Sequence, residues 1–539
     1  MLKSKLLLSI ISGVLLSLAW PAHGFPFLIF IAFIPLFFIE DQLSKESKKP
    51  LRNIFLYTYI ALFTWNALST WWIWNSSIFG AIMAIVLNSL FMSLVWVVFS
   101  FSKKYFHHNR NAIFLLPIFW VAFEYLHLDW DLSWSWLNLG NVFANHSYAI
   151  QWYEYTGVFG GTWWILIINI LIYKLLKKLL EDKPRASQLV FSSFPIFLLI
   201  LTPLLFSIYQ YQTYTEKGTD TEVVVVQPNM DPWSEQFLSP PQEVIDRMIQ
   251  LSIPLISQET QFWVAPESAI QEGIQEPSMT VGARMQKGIS IPRLQNFMTE
   301  FPNLKMVIGG STYRFLDEAT STSRETENGG IYDEYNTAII MNHQKVEDTY
   351  HKSKLVPGPE KMPFKSLLKP LQFMAFNLGG TAGSLGYDTE RKVFYSSQGI
   401  GAAPLICYES IYGEFVTEFV KNGAQILMVI TNDGWWGNTP GHQQHLAFSR
   451  LRAIETRRSV ARSANTGISC FINQRGDVTE ATAYWVQDAR KHTMKANSEL
   501  TFYVKYGDYL GRSSVFFAIL LLLINVTVYF KKEKPNEVD

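Results

Sequence analysis

Apolar residues run in long stretches through roughly the first 210 positions, then break into short runs among charges, and return once near the end. A membrane helix needs about 20 mostly apolar residues. Eight stretches are candidates: 5–20, 27–40, 54–74, 78–101, 112–125, 162–176, 191–211 and 513–530, of which the second and fifth are short. Pro-Ala-His-Gly-Phe-Pro at 21–26 predicts a tight helical hairpin between the first two. The opening residues also have the plan of a cleaved signal, basic then apolar then small. Because further apolar runs follow at once, they are read as the first of several spans.

Lysine and arginine in the connecting loops set the expected orientation. They occur before the first span (Lys3, Lys5), after the second (Lys45, Lys48, Lys49, Arg52) and after the fourth (Lys103, Lys104, Arg110). They recur after the sixth (Lys174, Lys177, Lys178, Lys183, Arg185) and in the tail (Lys531, Lys532, Lys534). The intervening loops 21–26, 75–77 and 127–161 contain neither residue. The alternation predicts cytoplasmic termini and a soluble domain on the outer face, the periplasm of a Gram-negative cell. The expected organisation is a seven-span bundle over 1–212, a soluble domain over 219–507 and a closing span at 513–530.

The loop 127–161 carries Trp130, Trp134, Trp136, Trp152, Asp129, Asp131 and Glu154. It reads as an interfacial aromatic belt, with a lipid entry site as the alternative. Glu124, inside a predicted span, is a functional candidate because a carboxylate in lipid is expensive. Its place near the span end also allows simple solvation.

Within 219–507 the hydrophobic period changes. Short β-rich runs at 222–227, 262–265, 306–309, 338–341, 403–407, 426–431 and 467–472 alternate with amphipathic stretches at 241–256, 291–300, 411–422 and 442–458. Such alternation predicts a layered α/β fold. Val-Val-Val-Val and Gln-Ile-Leu-Met-Val-Ile-Thr are continuously apolar, as strands buried on both faces are. Acidic and basic residues balance at 45 each, so no basic field argues for a nucleic-acid partner. The two cysteines, Cys407 and Cys470, exclude a disulfide framework or zinc ribbon, although one bridge between them stays open. His442 and His445 form an HxxH without the glutamate of a zinc protease motif. A polar helix face explains them, and neither a metal nor another cofactor is implied.

Three predicted strand ends carry reactive groups: Glu267 in Ala-Pro-Glu-Ser, Lys352 in Tyr-His-Lys-Ser-Lys-Leu-Val-Pro, and Cys407 in Leu-Ile-Cys-Tyr-Glu. Singly, each has an ordinary structural reading: a helix cap, a solvated charge, a small buried hydrophobe. Together they form a set that acyl transfer requires. A thiol with a pKa near 8.5 is only a few per cent thiolate at neutral pH. It needs a base to take its proton and a cation, helped by backbone N–H groups such as that of Tyr408, to stabilise the oxyanion.

The order Glu, Lys, Cys in Pro-Glu-Ser, Tyr-His-Lys…Leu-Val-Pro…Glu…Pro and Ile-Cys-Tyr-Glu-Ser resembles the nitrilase (carbon–nitrogen hydrolase) superfamily. Thr-Asn-Asp-Gly-Trp-Trp-Gly at 431–437, Gln-Gln-His at 443–445 and Arg-Ser-Ala-Asn-Thr-Gly-Ile-Ser at 462–469 are similar to its later core segments. The seven-span front and one-span tail further resemble the apolipoprotein N-acyltransferase family of bacterial inner membranes, over essentially the whole chain. The resemblance implies an αββα sandwich beside an eight-span bundle, with Glu267 as base, Lys352 as oxyanion stabiliser and Cys407 as nucleophile. It implies supporting roles for Trp233, Glu360, Tyr408 and Glu409, of which Trp233 departs from the pattern by a shorter spacing from Gln227. The implied reaction is ping-pong. A phospholipid, phosphatidylethanolamine at sn-1, gives its acyl chain to the thiol, and the α-amine of a diacylglyceryl-cysteine lipoprotein then takes it.

The segment 362–378 (Met-Pro-Phe-Lys-Ser-Leu-Leu-Lys-Pro-Leu-Gln-Phe-Met-Ala-Phe-Asn-Leu) reads either as an interfacial acyl-chain doorway or as a packed surface loop. The competing functions are a membrane-tethered amidase or nitrilase, for which one span would suffice, and a phospholipase in which water resolves the thioester. A non-enzymatic scaffold leaves the complete Glu–Lys–Cys set without a purpose. In an oxidising compartment Cys470 is expected to lie out of reach of Cys407.

Overall fold

The computed structural model describes residues 4–22, 24–106, 111–182, 184–277, 285, 288–364 and 384–533, with side chains described as far as 529. These residues form two compact units. One draws on Met1–Trp71, Phe79–Gln212 and Asp508–Asp539, the other on Trp72–Ile78 and Thr213–Gly507.

In the first unit a helix stands at each place where the hydrophobic pattern predicts one. These are α1 (Lys5–Ala19), α2 (Ile34–Glu46), α3 (Pro50–Thr70), α4 (Ile78–Tyr105), α5 (Leu115–Leu126), α6 (Tyr153–Asp182), α7 (Ala186–Thr213) and a C-terminal helix, Tyr509–Glu533. Among the described residues, five helical runs are long and apolar enough to cross a membrane: Pro26–Glu46, Ile78–Tyr105, Tyr153–Asp182, Ala186–Thr213 and Tyr509–Tyr529. The apolar helix α1, at 15 residues, and α5, at 12, are shorter. With a rise of 1.5 Å per residue, they extend only about 22 Å and 18 Å, against roughly 30 Å of hydrocarbon.

Glu124 is not solvated at a span end. It is buried and accepts hydrogen bonds from Trp120 Nε1 (3.0 Å), Leu139 N (2.7 Å) and Thr162 Oγ1 (2.7 Å). Thr162 in turn accepts from Gly140 N at 3.0 Å. The carboxylate thus ties the loop 127–161 to α5 and α6, and three donors offset its burial. Much of that loop is packed inward: Trp136, Leu137, Leu139, Val142 and Phe143 are buried, while Trp130 remains partly exposed. The tryptophans therefore divide between core and surface.

The second unit contains two sheets. Its strands are β1 (Thr219–Gln227), β2 (Thr260–Val264), β3 (Ile270–Gln275), β4 (Lys305–Leu316), β5 (Arg324–Glu325), β6 (Ile331–Met341), β7 (Val346–His351), β8 (Phe394–Tyr395), β9 (Gly401–Ile406), β10 (Ile426–Thr431), β11 (Ser459–Ala464), β12 (Cys470–Ile472), β13 (Val478–Thr479) and β14 (Asp488–Ala496). The first sheet runs β14-β1-β2-β4-β6-β5, with β3 on β4 and β7 on β6; the second runs β13-β12-β11-β10-β9-β8. The central pairs β1–β2, β2–β4, β9–β10 and β10–β11 are parallel. Every residue of β2, β9, β10 and β11 is buried, which explains their lack of polar alternation.

Helices α8 (Pro241–Ser252) and α9 (Ser290–Met298) cover the first sheet, placing Ile245, Met248, Leu294 and Met298 against Val224, Trp263 and Ile308. Helices α10 (Gly413–Lys421) and α11 (Pro440–Thr456) pack on the second. Between the sheets, Ser463 Oγ donates to Val226 O at 2.7 Å, and Gln227 Oε1 accepts from Ser469 N at 3.1 Å. The order of layers is helix, sheet, sheet, helix.

Element boundaries depart from the sequence expectation in several places: β4 and β6 run well past 306–309 and 338–341, and the strand expected over 467–472 begins at Cys470. The helix expected over 442–458 begins at Pro440 and stops at Thr456, where Arg457 turns left-handed at φ 50°. The chain then enters β11, whose Arg462 and serines hide a wholly buried strand from a hydrophobicity reading. The charged edge strand β14 is invisible for the same reason and is defined by its antiparallel register on β1.

Candidate active site

Glu267 follows β2 in a turn held against β4. Ala265 N donates to Val307 O (2.8 Å) and Gly309 N to Pro266 O (3.1 Å). No side chain fits at 309: a Cβ there would lie 2.5 Å from Glu267 Cα and 2.7 Å from Ser268 N. Gly309→Ala is therefore expected to displace Glu267, costing about 1–3 kcal/mol of stability. Thermal unfolding, together with the rate of enzyme acylation, checks this.

Lys352 emerges from β7 with its N–H on Asn336 O (2.8 Å), so the β6–β7 register sets its depth. Its side chain is only 1% exposed, and Nζ donates to Glu267 Oε1 (3.2 Å) and Glu360 Oε1 (2.8 Å). Burial disfavours the ammonium, but the Glu267 and Glu360 carboxylates outweigh it and raise the Lys352 pKa well above its ordinary value. Asn336 bridges the same two carboxylates, donating to Glu267 Oε1 at 2.7 Å and to Glu360 Oε1 at 3.0 Å. Glu267 Oε2 accepts from Asn432 N at 3.1 Å, and Glu360 Oε2 from Val356 N at 2.8 Å.

Cys407 stands where β9 ends and the short 3-10 turn Cys407–Ile411 begins, in left-handed backbone at φ 49°. Burial first, then the negative charge of Glu267, push the thiol above its ordinary pKa; Lys352 and the Thr431 hydroxyl pull the other way. The Glu267 and Lys352 charges thus act on the thiol in opposite directions.

Glu409 locks this turn to the Lys352 segment. Fully buried, it accepts from Ile406 N (2.8 Å), Ser353 N (2.7 Å) and the Tyr350 hydroxyl (2.7 Å). Tyr408 is buried beside Tyr412, with ring centroids 5.2 Å apart. Trp233 differs from the rest of the predicted set. It is 57% exposed; its ring meets that of Trp435 at 5.0 Å and 90°, and its N–H donates to Asp231 Oδ1 at 2.8 Å. Glu267, Lys352 and Glu360 are directly joined, and Glu409 is one step removed.

Sequence reasoning passed over Asn336 and misread the histidines. His442 and His445 do not form a polar helix face, being 1% and 0% exposed. Their spacing on α11 points both into the core, a direction only the packing of α11 on the second sheet decides. Among the described residues no group of three or more His, Cys, Asp or Glu is arranged to hold a metal ion. The segment 362–378, read above as an acyl-chain doorway, lies outside the described residues beyond Phe364.

A second buried charge cluster adjoins Lys352 along the chain. His351 Nε2 lies 2.7 Å from Glu276 Oε1 and Nδ1 lies 2.9 Å from Asp388 Oδ1, with the ring stacked 3.9 Å from that of Tyr335. Burial would raise the Glu276 carboxyl, but His351, Thr312 and Arg314 hold it at about 2, below its ordinary 4.5. A carboxyl depressed in the fold adds stability that is present above pH 4.5 and disappears as pH falls toward 2. Glu276→Gln is expected to flatten the acid limb of a stability–pH curve in that window, measured by chemical unfolding.

The double α/β layer thus presents Glu267, Lys352 and Cys407 just beyond the ends of β2, β7 and β9. Residues 223–494 match the carbon–nitrogen hydrolase model, and the chain belongs to that family. Residues 12–171 match the apolipoprotein N-acyltransferase N-terminal domain. The chain is 29% identical to the apolipoprotein N-acyltransferase of Chlorobaculum tepidum, over 97% of each chain. It is 25% identical to that of Pasteurella multocida (96% of this chain, 94% of the relative) and 24% to that of Thermotoga maritima (97% and 94%). Among solved structures it is similar to an amidase of the nitrilase superfamily from Nesterenkonia, at 15% identity and a TM-score of 0.36 over 55% of this chain and 98% of that one. It is also similar to a branch 10 member of that superfamily from Saccharomyces cerevisiae, at 14% identity and a TM-score of 0.37, over the same shares.

Proposed function

We propose that this membrane-embedded N-acyltransferase carries out the last acylation of bacterial lipoproteins through a thioester on Cys407. The observation that carries the reading is the buried Lys352 ammonium held between Glu267 and Glu360, with Cys407 at a left-handed strand end where its thiol feels the Glu267 and Lys352 charges. Glu267 takes the thiol proton as Sγ attacks the ester carbonyl of a phospholipid. Lys352, with the Tyr408 N–H, stabilises the tetrahedral oxyanion. Collapse expels the lysophospholipid, which takes the proton from Glu267. The α-amine of a diacylglyceryl-cysteine then attacks the thioester and loses a proton to Glu267; the C–S bond breaks, the Cys407 sulfur takes that proton back from Glu267, and the acyl chain leaves on the amine as an amide. Phosphatidylethanolamine is the proposed donor, through its sn-1 chain.

An eight-span bundle with both termini in the cytoplasm fits the lysine and arginine alternation, and holds the catalytic domain on the periplasmic side of the inner membrane. The domains are read as 1–212, 219–507 and 513–530. There both lipid-anchored substrates meet the enzyme without leaving the bilayer. Trp233, exposed beside Trp435, is read as a substrate contact; Glu360, Tyr408 and Glu409 support the reacting groups.

Purified enzyme incubated with labelled phosphatidylethanolamine should carry an acyl adduct on Cys407 by mass spectrometry, and a diacylated lipopeptide should discharge it onto its amine. Release only as free fatty acid would assign a phospholipase instead. Turnover of soluble amides without any acyl transfer would assign a tethered amidase.

A further inference from the structure

The peptide that follows the nucleophile is anchored by a group of buried side chains that the proposed chemistry leaves without a task. Cys407 O accepts from Ser410 Oγ at 2.8 Å and lies 3.1 Å from His445 Nε2; Ser410 Oγ and Nε2 are themselves 2.9 Å apart. A carbonyl oxygen only accepts, so His445 must carry its proton on Nε2 to make this bond. The other ring nitrogen is flanked by Asp433 Oδ1 at 2.9 Å and Arg462 Nη2 at 3.1 Å. The imidazolium, donating from Nδ1 to Asp433, keeps the Nε2 proton. So does the neutral ring that accepts from Arg462.

Asp433 is itself fully engaged. Its Oδ2 accepts from Arg462 Nη2 at 2.5 Å and its Oδ1 from Thr431 Oγ1 at 2.8 Å. Burial would raise the Asp433 carboxyl, but Arg462 and His445 hold it well below the usual carboxylate range. His445, Asp433 and Arg462 are each 0–1% exposed, so the ring has little freedom to turn.

Two consequences follow for the site. Left-handed backbone is strained for a residue with a side chain, and such strain persists only where the surroundings over-determine it. At Cys407 the anchored carbonyl supplies that determination. A trans peptide is also planar, so its C=O and N–H point in opposite directions. Holding Cys407 O toward His445 and Ser410 directs the Tyr408 N–H to the other side of the same plane.

We propose that His445, backed by Asp433 and Arg462 and joined by Ser410, is a positioning residue that aims the Tyr408 N–H at the oxyanion. The inference rests on the reading of Cys407 as nucleophile. It separates two properties of the thiol: attack on a carbonyl needs the aimed N–H, whereas displacement on an alkyl halide creates no oxyanion and does not.

The test compares two rates on the full-length protein in detergent micelles: acylation of Cys407 by labelled phosphatidylethanolamine, and alkylation of Cys407 by iodoacetamide, both by mass spectrometry. His445→Ala is expected to slow acylation by roughly 10²–10³-fold, as loss of an oxyanion donor does, with alkylation within about threefold of the parent. His445→Gln, which can return an N–H near the Nε2 position, should recover most of the acylation rate. Acylation unchanged in His445→Ala, a parallel fall of both rates, or a Gln variant no better than Ala would overturn the proposal. If His445→Ala does not fold, Ser410→Ala makes the same comparison. A roughly tenfold loss of acylation alone supports the inference, and an unchanged rate overturns it. An acyl adduct absent from Cys407 in the parent protein overturns the nucleophile reading itself, and the inference with it.

Discussion

Lys352→Met is expected to abolish acylation and to destabilise the second unit by about 3–5 kcal/mol, the usual cost of removing one partner from a buried ion pair. The size of the effect follows from what is left behind. Lys352 is 1% exposed, and its ammonium is shared by Glu267 Oε1 and Glu360 Oε1. Without it two carboxylates, also bridged by Asn336, face each other in the interior. Adding Glu360→Gln to Lys352→Met removes one of those charges, so the double variant should regain part of the stability. It should regain none of the acylation, because no cation remains for the oxyanion. Chemical unfolding and adduct formation read the two properties separately. A double variant no more stable than the single one would show that the carboxylates do not repel as their placement requires.

The second large effect is at the proton transfer. Glu267→Gln keeps the shape of the side chain, but its single carbonyl oxygen can accept from Lys352 or from Asn432 N and not from both, and it cannot take a proton. Loss of a positioned general base costs about 10²–10⁴-fold, and the Cys407 thiol, raised by its burial, makes the base more necessary. The acylation rate should fall by that factor with little change in apparent lipid affinity. Cys407→Ala should form no adduct at all. Its second thiol offers no substitute: Cys470 lies in β12, three strand positions from β9 in the sheet. At about 4.8 Å per strand that is roughly 14 Å, beyond the Cα separation a disulfide can bridge. Rapid acylation of Glu267→Gln at neutral pH would remove Glu267 from the base role.

The places of Glu267, Lys352 and Cys407 were legible because their neighbours are local. Pro266 before Glu267, the Leu-Val-Pro after Lys352 and the apolar run before Cys407 each mark a strand end, and the structure has β2, β7 and β9 ending there. Asn336 and His445 were not legible. Asn336 lies mid-strand in β6, 69 positions from Glu267, and only the β4–β6 and β6–β7 registers bring it to the carboxylates. His445 resembles any polar residue on a helix until α11 is packed. The wholly buried β11 escaped notice because Arg462, its most polar residue, is neutralised by Asp433 from another strand's end.

Taken alone, the sequence determined the division into an apolar region and a more polar α/β region, the places of the helices, and the strand ends at which Glu267, Lys352 and Cys407 stand. These are properties of hydrophobic period and of residues close together in the chain. Tertiary structure decided how those groups act on one another. It placed Lys352 between two carboxylates, turned Cys407 left-handed with its carbonyl on His445, and made Glu124 a buried tie instead of a solvated end. The physical reason is common to all three. The free energy of a buried charge or a strained peptide depends on the partners that surround it, and those partners come from elements far apart in sequence.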